Sequence, residues 1–134
     1  MNEVYALDSF AILALLGREA GSVMISKLLH QVQAGEARAL MTWVNVGEVA
    51  YIVQRRWGVG RMYQVLGNLE ASGIEFIPVG RDLALSAAEI KENYPLAFAD
   101  AFSAALAMDV KGTLITGDPE FDKLKDIVVI QWIS

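Results

Sequence analysis

Val4-Tyr5-Ala6-Leu7-Asp8-Ser9-Phe10-Ala11-Ile12-Leu13-Ala14-Leu15-Leu16-Gly17 is the stretch that decides the fold. Its apolar opening, Val4 to Leu7, halts at Asp8-Ser9 and predicts a buried strand that runs straight into a helix N-cap. Phe10 to Leu16 then continues as a short helix ending at Gly17. A strand delivered into a helix in this way is the first half of a crossover unit, and it leaves Asp8 at the strand's carboxyl end.

The same alternation extends along the chain. A second helix is predicted from Gly21-Ser22 to about Gln33, then a strand over Arg38–Thr42 and a helix from Val44 to Arg56. Gly58 and Gly60 separate that helix from another reaching Ser72-Gly73. Ile74–Ile77 suits a strand closed by Pro78, and Arg81–Asn93 a helix broken before Pro95. Phe98–Lys111 is an Ala-rich helix capped by Gly112. Thr113–Thr116 and Ile127–Ile130 complete the set, with a turn and a helical piece between. The last run does not alternate, which predicts a strand buried on both faces. Strands joined by helix-length crossovers imply an α/β class, with a mainly parallel sheet covered on both faces. No repeat or linker divides the chain, so residues 1–134 are expected to form a single domain.

Composition removes many chemistries. The chain has 134 residues, no cysteine and one histidine, His30. Disulfide scaffolds, thiol nucleophiles and cysteine-ligated metals are therefore excluded, as are multi-histidine metal sites. The start is no basic leader, and no apolar run reaches membrane-spanning length, so a reducing, cytoplasmic setting without a membrane partner is expected. The net charge of −5 argues against simple electrostatic coating of nucleic acid. Catalysis must run on carboxylates and hydroxyls.

Four carboxylates stand where a parallel sheet binds its ligands, beyond the carboxyl ends of strands. Asp8 follows the first strand and Asp118 follows the one ending at Thr116; each alone is also a plausible helix cap or turn acid. Glu48 interrupts the apolar stripe of Val44 and Ile52, with Asn45 about 60° around the helix. A buried carboxylate there needs a cation or a hydrogen-bond network. Asp100 sits in the first turn of the Ala-rich helix, opposite Phe102, on a face of small residues (Ser103, Ala104, Ala107). If the four converge, like charges about 4 Å apart repel by roughly 4 kcal/mol per pair at intermediate dielectric. Mg²⁺ or Mn²⁺ takes oxygen ligands of this kind, and such a pocket suits phosphodiester hydrolysis.

The chain resembles PIN-domain ribonucleases of the VapC toxin kind over essentially its whole length. The resemblance lies in Leu7-Asp8-Ser9, Asn45-Val46-Gly47-Glu48, Ala99-Asp100-Ala101 and Leu114-Ile115-Thr116-Gly117-Asp118-Pro119-Glu120-Phe121, in family order. It implies a three-layer α/β/α fold around a parallel sheet of about five strands. It also implies Mg²⁺ or Mn²⁺ held by Asp8, Glu48, Asp100 and Asp118, directly or through water. Ser9 and Thr116 would support them, Asn45 would act behind a ligand or on substrate, and Asp122 is a minor candidate. The implied activity is endoribonuclease action by a toxin, with RNA as substrate and with a homodimer and a cognate antitoxin as partners.

Other readings compete. A receiver domain also places acids at strand ends, but Ile74–Val79 ends without an Asp. A haloacid-dehalogenase phosphatase needs a second acid at the position of Phe10. A PIN-like domain kept as a non-catalytic partner-binding module is the remaining alternative, and the intact acidic set speaks against it. Arg55, Arg56 and Arg61 form the best basic cluster, suited to RNA phosphate or simply to a helix end that favours cations; Arg55 and Arg56 are the substrate-binding candidates. His30 is a surface or packing residue, Gly58-Val59-Gly60-Arg61 a helix–helix turn, and Trp43, Trp57 and Trp132 core or interface residues. The apolar fraction of 54% exceeds what one small core requires. The excess predicts an exposed patch on the first two helices, from Ile12, Leu15, Leu16, Val23, Met24 and Leu28.

Overall fold

Every strand pairing among the described residues is parallel, as the helix-length crossovers require. The computed structural model describes residues 3–133. The elements in chain order are β1 (Glu3–Leu7), α1 (Ser9–Leu16), α2 (Ser22–Gln33), β2 (Ala37–Thr42), α3 (Trp43–Trp57), α4 (Val59–Ala71), β3 (Glu75–Ile77), α5 (Arg81–Asn93), α6 (Phe98–Asp109), β4 (Thr113–Thr116), a 3₁₀ helix (Pro119–Leu124) and β5 (Val129–Trp132). The five strands lie in the order β3-β2-β1-β4-β5.

Alternation along the strands divides the interior into two layers. Leu7, Ala39, Met41 and Ile115 point to one face, where Ile12, Ile25, Val49, Val53 and Val65 from α1 to α4 cover them. Ala6, Leu40 and Leu114 point to the other, against Ile90 of α5, a run of α6 residues and Phe121 and Leu124 of the 3₁₀ helix. The result is the three-layer α/β/α arrangement. Residues 101–107 of α6 are all buried, which explains their small size: sheet, α5 and α3 all approach this helix. A receiver-type sheet would be ordered 2-1-3-4-5, so the strand order excludes that alternative.

Three sequence expectations need correction. The last strand runs over Val129–Trp132 rather than Ile127–Ile130, and it is an edge strand, not one buried on both faces. Val128 alone of that apolar run is deeply buried, in the turn beneath α6; Val129 is 67% exposed. The proposed patch on α1 and α2 is mostly core: Ile12 and Leu28 are buried, Leu15, Leu16 and Met24 pack against the interior, and only Val23 stands exposed. Glu48 does not interrupt the buried stripe of α3, which consists of Asn45, Val46, Val49 and Val53. Val44, Glu48 and Ile52 form its half-buried flank. That flank opens toward the carboxyl edge of the sheet.

β1 leads into α1 on one face, and β4 leads into the 3₁₀ helix on the other. Between two adjacent strands whose connections leave in opposite directions lies the crevice where open α/β sheets bind ligands.

Candidate active site

Asp8 occupies that crevice and is almost entirely buried. As N-cap of α1, its Oδ1 accepts the Ala11 amide at 2.8 Å. The Thr116 hydroxyl, across the crevice at the end of β4, donates to Oδ2. Thr116 Oγ1 in turn accepts the Asp118 amide at 3.0 Å. One hydroxyl thus fastens the loops after β1 and β4 to each other. Asp118 then caps the 3₁₀ helix by accepting the Glu120 amide at 3.0 Å. Fully buried Phe121 pins that helix to the core, a burial worth roughly 1.5–3 kcal/mol that fixes where Asp118 stands. Gly117 lies between them, and a Cβ there would lie 2.5 Å from Phe10 Cε1, so a larger residue would push the Phe10 ring aside.

Glu48 and Asp100 come from the other side. The Ser9 hydroxyl, at the start of α1, donates to Glu48 Oε1 and links the two helices. Asn45 is wholly buried: its Oδ1 accepts the Thr42 hydroxyl at 2.6 Å and its Nδ2 donates to the Ala99 carbonyl at 3.0 Å. It therefore joins α3 to the first turn of α6, immediately before Asp100. Thr42 was missed in the sequence. It caps α3 by accepting the Asn45 amide at 3.2 Å, and a Thr directly before a helix, three residues ahead of Asn, was the available signal.

The electrostatics tie these acids together. Burial, first of all, pushes the Asp8 carboxyl up to about 7, helped by the charges of Asp100 and Asp118 and opposed by the bonds from Thr116 and Ala11. Asp100 is pushed up to about 6 by burial, then by Asp118, Glu48 and Glu120. Mutual repulsion thus acts as expected, but desolvation outweighs it. Glu120 is the second residue that the sequence reading did not single out; it sits at the start of the 3₁₀ helix, two residues beyond Asp118, and also pairs with Lys123 at 2.6 Å. No lysine or arginine forms an ion pair with Asp8, Glu48, Asp100 or Asp118 among the described residues.

Asp122 is not drawn in: it is exposed and faces Lys125 at 3.9 Å. Arg55 and Arg56 lie exposed in the last turn of α3, two turns beyond Glu48. His30 is exposed. Among the described residues no three acids stand close enough together to grip an ion. The donor set is nonetheless all oxygen, anionic and uncompensated, which fits a hard divalent cation.

The sequence profile of the PIN domain matches residues 5–127. The chain belongs to the PIN domain family. Its fold is similar to several solved structures of toxin–antitoxin proteins. A chain of DNA-bound VapBC from Salmonella typhimurium is 15% identical, with a TM-score of 0.74 and 98% of each chain covered. A chain of VapBC2 from Rickettsia felis, bound to a DNA fragment from their promoter, is 16% identical, with a TM-score of 0.72, covering 98% of this chain and 99% of that one. Mycobacterium tuberculosis VapC20, a sarcin-ricin loop cleaving toxin, is 18% identical, with a TM-score of 0.65 over 90% of this chain and 93% of that one. At these identities the likeness is one of fold. A comparison with curated protein sequences finds no match. In this PIN domain the segments carrying the resemblance meet at one edge of the sheet, around β1, β4 and the starts of α3 and α6.

Proposed function

We propose that this PIN domain is a divalent-metal-dependent endoribonuclease, the toxin of a toxin–antitoxin pair acting in the cytoplasm. The observation that carries the reading is Asp8, buried at the sheet's carboxyl edge without a lysine or arginine partner, its ionisation opposed by burial first and then by Asp100 and Asp118. Asp8, Glu48, Asp100 and Asp118 hold Mg²⁺ or Mn²⁺, directly or through water. The cation, when bound, supplies charge neutralisation at the phosphodiester and a water acidic enough to attack near neutral pH. Thr116 fixes the outer oxygen of Asp8, Ser9 orients Glu48, and Asn45 sets the distance between the Glu48 helix and Asp100. Arg55 and Arg56 serve the RNA backbone. The similarity in fold to VapBC chains supports an antitoxin as partner, with a homodimer as the assembled form.

The test is cleavage of total RNA by purified protein with Mg²⁺ or Mn²⁺ and with EDTA. Cleavage should need the cation. Asp100→Asn keeps the shape and loses the charge, and it should cost more than the roughly 10–100-fold lost with a ligand's outer partners. A folded, pure Asp100→Asn protein that cuts RNA like the wild type would sink the assignment.

A further inference from the structure

The acidic site faces a substrate that is itself a polyanion, in a chain of net charge −5. Positive charge that guides RNA must therefore be local. From Val49 to Leu69 the chain carries Arg55, Arg56 and Arg61 and no acid at all. None of the three arginines is ion-paired among the described residues, whereas Arg38, Arg81, Lys123 and Lys125 each face a carboxylate. Their partners are neutral instead: Arg55 Nη1 donates to the Tyr51 hydroxyl at 2.8 Å, Arg61 Nη1 to Gln64 Oε1 at 2.7 Å, and Arg56 lies 5.9 Å from the Trp57 ring centre.

Helix geometry connects this patch to the site. At about 100° per residue, Arg55 lies within about 20° of Glu48 around α3 and about 10 Å further along it. Tyr51 stands between them, about 60° from Glu48, and is 59% exposed. Helical side chains lean toward the N-terminus, which for α3 is the end at the carboxylates. The bond from Arg55 to Tyr51 has that sense: the guanidinium reaches back one turn and braces the phenol. An exposed ring held by a cation, one turn from a phosphodiester site, offers a base a π-face and a neighbouring phosphate a charge.

We propose that Tyr51 and Arg55 form a grip for single-stranded RNA on α3, with Tyr51 stacking a base and Arg55 pairing with the phosphate next to it, on the strand leading away from the bond that is cut. The proposal rests on the nuclease reading and adds the residues that select unpaired RNA. Stacking on an aromatic ring tolerates any base but needs an unstacked one, so a duplex of the same sequence binds this surface poorly.

Binding is measured by fluorescence anisotropy with an oligouridine 12-mer in Mg²⁺, in an Asp100→Asn background that blocks hydrolysis, and kinetics are measured in the wild-type background. Tyr51→Ala should weaken binding by roughly 5-fold to 100-fold. Arg55→Ala should weaken it too and lower the salt slope by about 0.7, the value for one phosphate of a single strand. In kinetics both should raise KM and leave kcat within about twofold, as for uniform binding. Arg81→Ala, on α5 and paired with Asp82, should change neither. Unchanged Kd and slope in Tyr51→Ala and Arg55→Ala, while Asp100→Asn alone abolishes cleavage, would overturn the grip and leave the nuclease standing. Altered mass in light scattering for either variant would also overturn it, by making this face a contact between copies. A wild-type protein that neither binds nor cuts RNA in Mg²⁺ or Mn²⁺ removes the nuclease reading and the grip with it.

Discussion

Thr116 shows how one side chain can hold two loops together. In the sequence it was a polar residue at a strand end, with the family resemblance implying a supporting role beside the carboxylates. Its hydroxyl serves both Asp8, as donor, and the Asp118 amide, as acceptor. Thr116→Val keeps the shape and removes both bonds in a wholly buried place. The Asp118 amide then loses its acceptor and the Asp8 carboxylate a donor, so denaturant unfolding should show a loss of about 1–3 kcal/mol. Thr116→Ser, which keeps the hydroxyl, should recover most of it. Asp8 illustrates the opposite lesson. Cap and site residue were competing interpretations of one Asp, and the geometry makes them compatible: Oδ1 caps α1 and Oδ2 faces the crevice bond.

At the scale of elements, the junction of α3 and α6 joins the helices that carry Glu48 and Asp100. Asn45 is its only side-chain hydrogen bond among those described, and the bond goes to Ala99, the residue before Asp100. Asn45→Ala leaves the Ala99 carbonyl and the Thr42 hydroxyl without that partner and opens a small cavity. The expected cost is about 2–4 kcal/mol by chemical unfolding, with faster amide exchange in the first turn of α6. Cleavage should fall even in the folded fraction, because Glu48 and Asp100 lose their fixed spacing; full activity in that fraction would show that the spacing is set elsewhere. A second constraint is Gly112, which enters β4. A Cβ there would lie 2.5 Å from the Val4 carbonyl oxygen, backbone that cannot move without disturbing β1. Gly112→Ala should cost about 1–3 kcal/mol in thermal or denaturant unfolding.

For the whole molecule, the acidic site makes stability depend on pH in an unusual direction. An Asp whose folded pKa lies above its unfolded value binds more protons in the native state, so stability falls as pH rises through the interval. Asp8 is raised from 3.8 to about 7 and Asp100 from 3.8 to about 6. Without metal, their contribution should therefore be harmless below pH about 4, decline from there to pH about 7, and level off above. For nearly buried Asp8 the total penalty is on the order of a few kcal/mol. Divalent cations bind the ionised form, so Mg²⁺ or Mn²⁺ should raise the melting temperature more at pH 8 than at pH 5. Melting curves across pH in EDTA and in metal check this. A metal-induced shift that is the same at both pH values would contradict the cluster's role as the binding site.

Hydrophobic period and breakers determined the class of the fold, because strands of three to six residues and helices of eight or more leave different spacings whatever surrounds them. The order of acid-bearing segments was equally visible, since it is a property of the chain. What the sequence left open was anything that depends on which strands are neighbours. Ile127–Ile130 looked like an interior strand, yet the outermost position of β5 exposes Val129 and moves the pairing to Val129–Trp132. The apolar residues of α1 and α2 looked like a surplus, and the layer on their own face of the sheet turned out to need nearly all of them. The meeting of Asp8 with Thr116, 108 residues apart, is likewise decided by tertiary structure. Local pattern fixes how each segment is built, whereas burial and proximity follow from strand order, and no local pattern encodes that.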